Sequence, residues 1–241
     1  MKNLTENQEE TMNLNSFSGE VAKKIYGVNK LKEVENILIS KYFTNKSGKV
    51  LDIGCGYGRT TKPLHDLGFD VVGIDIVPKM IADAQKDNPQ IDFRIMSATS
   101  LEFPDNSFDY IMFSFNGIDY IYPELRRFEA LKEAYRVLKP GGVFILSSHN
   151  KASYFFRIFS EPNLYNPMVF LRNIFNGNFF GNYILARHAE GDLLGYAKTP
   201  FWQKKDFKKF GFKVLEVLGK KYKNYLVINL FEAWPYFILV K

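Results

Sequence analysis

The chain has 241 residues, 46% hydrophobic and 24% charged, a balance that fits one large α/β domain or two small ones and excludes a disordered, collagenous or coiled-coil chain. Its formal charge of +6 is uneven: residues 1–150 carry 18 basic and 20 acidic side chains, whereas residues 151–241 carry 14 and 6. The surplus in the last two fifths favours an anionic partner there: phosphate, nucleic acid, anionic lipid or a carboxylate substrate.

Met1–Glu20 is polar and lacks the apolar stretch of a secretory signal, so a cytoplasmic protein is expected. Ser16–Gly27 leads into Val28–Phe43, whose spacing of Leu31, Val34, Leu38 and Tyr42 predicts a helix. Five short apolar runs follow: Val50–Ile53, Val71–Ile74, Ile91–Ile95, Tyr110–Phe113 and Val143–Leu146. Their continuous hydrophobicity is that of parallel strands covered on both faces. Between them, Thr60–Leu67 closed by Gly68, Pro78–Lys86, and Leu125–Leu138 stopped by Lys139-Pro140-Gly141-Gly142 read as helices. Alternating strands and helices predict a doubly wound, mostly parallel α/β sheet.

Residues 151–202 are too long for an ordinary connection of about 2–6 residues. Asn166-Pro167, Met168–Phe175 and Gly177 supply the cap, first-turn proline and terminator of a short helix inside them. This stretch also holds 13 of the 39 aromatics, enough for a small subdomain. Lys204–Phe210 then reads as a helix, and Phe212–Leu218 and Tyr236–Val240 as strands. Tyr225–Val240 is apolar but broken by Asn229, Glu232 and Pro235, too short for a bilayer span of about 20 residues, so no membrane partner is expected. The single cysteine, Cys55, can make no internal disulfide.

The sharpest local feature is Val50-Leu51-Asp52-Ile53-Gly54-Cys55-Gly56-Tyr57-Gly58-Arg59-Thr60-Thr61. A strand ends, glycines alternate, and a helix opens, so backbone and free N–H groups can meet a nucleotide-like ligand. The strict dinucleotide fingerprint fails because Arg59 stands where its third glycine belongs. Asp75 closes Val71-Val72-Gly73-Ile74-Asp75, at the distance where an acid accepts from ribose hydroxyls and repels a 2′-phosphate.

These residues resemble class I S-adenosylmethionine (SAM) dependent methyltransferases. Leu101–Asp109 is similar to that family's approach to the fourth strand, Ala134–Gly142 to its approach to the fifth, and Phe207–Val217, with Phe210-Gly211-Phe212 inside it, to the usual helix before the sixth. The resemblance implies a Rossmann-like sheet of seven strands, the last antiparallel, in one domain. Its parts would be an N-terminal helical segment (1–48), a SAM-binding core (49–150), a substrate cap inserted between strands 5 and 6 (151–202), and a C-terminal helix with strands (203–241). It implies SAM as cofactor, with Gly54 and Gly56 bordering the methionine moiety, Cys55 between them in the cofactor site, Asp75 on the ribose, and Ile76 and Met80 by the adenine. Ser97-Ala98 stands where the family has Asp-Ala on the adenine amino group, so that contact is expected to be weaker. Phe113 and Ser114 would lie near the sulfonium and amino-acid end, and Tyr26 would close over the cofactor.

Methyl transfer from a sulfonium is an in-line displacement that needs alignment and dryness rather than a metal or a nucleophilic residue. Aromatic faces suit the cation, and Tyr57, Phe113 and Phe115 could supply them. Where the acceptor must lose a proton, His149, just past the fifth strand, is the best-placed base; His65 reads as structural and His188 as a lesser candidate. Asp119, Tyr120 and Tyr122 are further site-lining candidates. Asn116-Gly117 replaces the Asn/Asp-Pro-Pro-Tyr type of motif of amino-methylating enzymes. The expected activity is therefore methylation of a small-molecule O, N or C acceptor of anionic or aromatic character. RNA modification through the basic C-terminal part, or non-catalytic SAM binding, are the alternatives.

Overall fold

The computed structural model describes residues 23–24, 27–154, 167–188 and 191–241. Tyr26 lies outside them, as does the side chain of His188. In chain order come α1 (Glu33–Tyr42), β1 (Lys49–Ile53), α2 (Thr61–Asp66), β2 (Asp70–Asp75), α3 (Pro78–Asp87), β3 (Asp92–Ile95), β4 (Phe108–Phe113), a 3₁₀ turn (Gly117–Tyr120), α4 (Glu124–Val137) and β5 (Leu138–Ser147). The insert holds α5 (Pro167–Phe175), a 3₁₀ turn (Asn178–Phe180), β6 (Tyr183–His188) and β7 (Gly191–Tyr196); α6 (Pro200–Lys209), β8 (Lys213–Leu218), α7 (Tyr225–Phe231) and β9 (Tyr236–Val240) follow.

Seven strands form one sheet in the order β3-β2-β1-β4-β5-β9-β8. Strands β1 to β5 pair in parallel, and β9 runs antiparallel to both its neighbours, β5 and β8. The expected doubly wound sheet with its last strand reversed is therefore present. Strand side chains alternate between two apolar layers. Leu51, Ile53, Val72, Ile74, Ile111, Phe113, Phe144 and Leu146 face one layer with Leu131, Ala134 and Phe207 from α4 and α6. Val50, Val71, Tyr110, Met112, Val143 and Ile145 face the other with Leu38, Ile39 and Leu64 from α1 and α2. Burial on both faces is why these runs read as continuously apolar. The chain leaves β1 toward β2 and β3, then returns to place β4 on the other side of β1. That reversal opens a crevice at the carboxyl ends of β1 and β4.

Several boundaries differ from expectation for identifiable reasons. Helix α1 begins at Glu33 rather than Val28, because the Glu35 carboxylate turns back to accept from the Lys32 amide at 2.8 Å. Lys139-Pro140-Gly141-Gly142 does not separate helix from strand: β5 starts at Leu138 and absorbs these residues as an irregularity between the Phe108–Leu138 and Tyr110–Val143 pairs. Helix α6 starts at Pro200, not Lys204. The short helix at Pro167–Phe175 is present, and beyond it the insert forms a β6–β7 hairpin, tied to the sheet where Ala197 bridges His149.

Candidate active site

The crevice is a cavity of about 200 Å³. Its wall includes Gly54, Cys55, Gly56, Asp75, Ile76, Met80, Ser97, Ala98, Phe113 and Ser114, so the structure brings together all the sequence-derived cofactor residues that lie within the described part. Arg59, Thr99, Phe115, Gly117, Tyr120, Ile121, Tyr122 and Arg126 complete one side of it. Tyr57, by contrast, packs in an apolar cluster with Val77 and Met80.

Backbone geometry explains the glycine loop. Gly54 sits at φ +64°, and a Cβ there would lie 2.9 Å from the Phe113 ring, so only glycine lets β1 turn beneath that ring. Gly117 approaches the same edge of the ring, with a Cβ position 2.5 Å away. Phe113 is thereby held as a wall of the cavity. Asp75 ends β2 with one carboxylate oxygen accepting from the Gly56 amide at 2.9 Å and the other from the Val77 amide at 2.9 Å. Burial raises its carboxyl above the usual value, opposed by these amides. Each oxygen keeps a lone pair for a further donor.

Asp52 lies beneath the loop, fully buried. One of its oxygens accepts from the Thr60 and Thr61 hydroxyls at 2.6 Å each, while the other has no partner among the described residues. Burial pushes its carboxyl up to about 6 despite the two hydroxyls. From about pH 4 to about 6 the folded chain then holds a proton that the unfolded chain has released, so stability falls as pH rises through that window. Asp52→Asn removes this titration. The variant's stability relative to wild type should rise across the window by about 3 kcal/mol, read from urea unfolding at each pH; a constant difference would contradict the assignment.

The N-terminal helix is locked to the loop by a buried ion pair. Arg59 donates to both Glu35 oxygens at 2.8 Å, to the Lys30 carbonyl at 3.0 Å and to the Ser114 hydroxyl at 3.0 Å. Ser114 in turn donates to Glu35 at 2.5 Å, and the Tyr236 hydroxyl reaches the same oxygen at 3.2 Å. Burial works to raise the Glu35 carboxyl, but the hydrogen bonds and charge of Arg59 and the Ser114 bond outweigh it and hold it below the usual range. Phe115, at φ +52°, lies between two cations, with the Arg59 guanidinium 4.1 Å and the Lys32 ammonium 3.5 Å from its ring centre. Burial takes the Lys32 ammonium down to about 8.

At Ser97, where the resemblance leads one to expect an acid, the structure has a different chain of contacts. Ser97 and Thr99 share a hydrogen bond at 2.9 Å, and Arg126 donates to Thr99 at 3.0 Å.

His149 does not line the cavity; it lies behind Tyr120, which does, with the two rings edge-on and their centres 5.9 Å apart. Its Nδ1 meets the Asp119 carboxylate at 2.8 Å, and its amide donates to the same oxygen at 2.6 Å. A carboxylate only accepts, so Nδ1 carries a proton toward Asp119. Nε2 lies 3.5 Å from the Asn116 side-chain nitrogen. Asp119 also accepts from Ser148 at 2.8 Å, and Arg127 stands 3.7 Å from it, stacked 3.9 Å over the Tyr196 ring. Asp119 is thus the floor of a buried polar cluster, a role that its place in Ile118-Asp119-Tyr120 does not reveal. His65 stands on α2, away from the cavity wall. Among the described residues, no group of His, Cys, Asp or Glu is arranged to hold a metal ion.

Residues 50–142 match a family profile described as a methyltransferase domain. A demethylmenaquinone methyltransferase of Renibacterium salmoninarum is 36% identical over 115 residues, 47% of each chain. One from Paenarthrobacter aurescens is 32% identical over 128 residues, 53% of this chain and 49% of that protein. The chain thus spans about half the length of these curated relatives. An uncharacterized protein of Methanocaldococcus jannaschii is 30% identical over 232 residues, covering 89% of this chain and 82% of its own length. Among solved structures, a SAM-dependent methyltransferase from Methanosarcina mazei superposes with a TM-score of 0.69 at 21% identity, over 88% of this chain and 98% of that one. With its glycine loop, its acid at the end of β2 and its reversed last strand, the chain belongs to the class I SAM-dependent methyltransferases.

Proposed function

We propose that this protein transfers the methyl group of SAM to a small aromatic acceptor of the hydroquinone or phenol type. The observation that carries the reading is the composition of the cavity. One half is the glycine loop with Asp75, and the other is an apolar and aromatic slot of Phe113, Phe115, Tyr120, Ile121 and Tyr122. SAM, when bound, supplies an activated methyl on a sulfonium.

The residues fit that group. Asp75 has lone pairs left for ribose hydroxyls, Gly54 and Gly56 admit a ligand close to the backbone, and Ile76 and Met80 offer an apolar seat for a flat ring. Ser114 and Arg59 stand on the loop side, where the amino-acid end would lie. Phe113, packed closely against Gly54 and Gly117, fixes the wall along which methyl and acceptor align, and the slot keeps water from the displacement. The demethylmenaquinone methyltransferases among the relatives support an acceptor of quinone type. A methyltransferase of Synechocystis named for 2-methyl-6-phytyl-1,4-hydroquinone, 37% identical over 106 residues, does so too.

His149, held by Asp119 behind Tyr120, does not reach the cavity itself, so it is proposed to act on the reaction by positioning Tyr120 against the acceptor. Its replacement by alanine should lower turnover by up to about a hundredfold through misplacement of Tyr120, with SAM affinity unchanged by titration. Full turnover in this variant would remove His149 from the reaction. The acceptor class is tested by incubating the chain with tritium-labelled SAM and a panel of reduced quinones, phenols and bulk RNA. Label extracted into organic solvent with a quinol supports the reading; label retained only on RNA overturns it.

A further inference from the structure

Outside the cavity, exposed apolar side chains gather where α6 begins and along α7. Phe201 and Trp202 are 47% and 50% exposed and Leu226 is 72% exposed, with Leu230 and Phe231 further along the same helix. Asn224 caps α7, accepting from the amides of Leu226 at 2.9 Å and Val227 at 3.3 Å, so these side chains stand on an ordered helix. The two stretches make one face: the Phe201 amide donates to the Asn229 side chain at 2.9 Å, and the Lys204 ammonium lies 4.6 Å over the Tyr225 ring. Lys205 stands 4.2 Å over the Trp202 ring. Residues 200–231 hold eight lysines and two acidic residues. Of those two acids, Asp206 is buried against Lys198 and Glu216 pairs with Lys41. Single exposed apolar residues are ordinary, but a cluster interleaved with lysines marks a surface made for contact.

The topology places this face beside the cavity. Strand β8 runs with β1 to β5 and β9 runs against them, so residues 219–235 cross the carboxyl edge of the sheet, where the cavity lies. Helix α6 starts at the same edge, because the insert leaves from the end of β5 and is tied back at His149. On the insert, Phe175 and Phe180 are 83% and 96% exposed.

We propose that this carboxyl-edge face seats the protein on an anionic lipid surface. Trp202, Leu226 and their neighbours would enter the boundary between headgroups and acyl chains, and the lysines would meet the lipid phosphates. Among the described residues no helix is long and apolar enough to cross a membrane, so the contact is peripheral. Lysines and aromatic rings alone would also suit RNA, but exposed aliphatics such as Leu226 and Leu230 gain nothing from phosphates or stacked bases. Charge complementarity together with aliphatic exposure therefore selects lipid. The inference goes beyond the acceptor reading, since the face exists whatever the cavity methylates. If the acceptor is apolar, the same seating presents the cavity to the layer that dissolves it.

The test is flotation of the full chain with vesicles of phosphatidylcholine alone and of equal parts phosphatidylcholine and phosphatidylglycerol. The chain should float with the anionic vesicles, weakly or not at all with the neutral ones, and less as salt is raised. Trp202→Ser combined with Leu226→Ser should weaken binding about tenfold or more. Lys205→Glu, Lys221→Glu and Lys223→Glu together should weaken it by at least about fivefold per lysine. Both variants should keep wild-type affinity for SAM, which separates loss of the face from loss of the fold or the cofactor site. Failure to float with either vesicle, equal flotation with both, or displacement by bulk RNA with no effect of Trp202→Ser and Leu226→Ser would each overturn the proposal.

Discussion

Asp75→Ala is expected to lose at least about a hundredfold in affinity for SAM, because hydrogen bonds to an ionised carboxylate are worth about 1.5–3 kcal/mol each and a ribose offers two donors. The carboxylate also shapes the loop, since it accepts from the Gly56 and Val77 amides. Both amides border the cavity and can turn to water, so the thermal midpoint should move little. Because burial raises the Asp75 carboxyl, wild-type affinity should also fall on acidification at a higher pH than an exposed aspartate would give; once protonated, the group loses acceptor strength. Titration calorimetry across pH checks both statements. Unchanged affinity in Asp75→Ala would place the ribose elsewhere.

Glu35→Ala should destabilise the fold by about 3–5 kcal/mol, the usual cost of stripping one partner from a buried ion pair. Arg59 would be left charged and nearly out of water, held by the Lys30 carbonyl and the Ser114 hydroxyl, and Tyr236 would lose its acceptor. Glu35→Gln keeps the shape and an acceptor oxygen, so its cost should be smaller. The sign of the pH effect follows from the depressed Glu35 carboxyl. Its contribution is present above the unfolded value and is lost as pH falls through the folded one, and both variants should lack that acid-side loss. Urea unfolding of the three proteins measures this; a change below about 1 kcal/mol in Glu35→Ala would show that the pair only offsets its own desolvation.

Much of this architecture was legible because it is written in local chemistry. Apolar runs such as Val50–Ile53 and Val71–Ile74 are covered on both faces, and glycines at 54 and 56 with Asp75 in step announce the crevice. What stayed hidden depends on partners far apart in the chain. Nothing in Glu35 or Arg59 read singly shows that they meet across 24 positions, nor that Asp119 will hold His149. Arg59 did stand out as a break in the dinucleotide pattern, which is the trace its pairing leaves in the sequence. The β6–β7 hairpin was illegible because Ala189-Glu190 between its strands lacks the Asn-Gly type of turn signal. Helix α7 did carry a capping residue, Asn224, but its apolar run blends into the strand that follows.

On the proposed reading, the glycine loop and Asp75 hold SAM so that its methyl faces the slot of Phe113, Tyr120 and Tyr122. A crystal structure of the chain with S-adenosylhomocysteine tests it most directly. Both ribose hydroxyls should lie within hydrogen-bond distance of the Asp75 carboxylate, the adenine between Ile76, Met80 and Ala98, and the sulfur directed at the Phe113 wall. A nucleoside bound with its ribose away from Asp75, or with its sulfur turned from the aromatic slot, would contradict it.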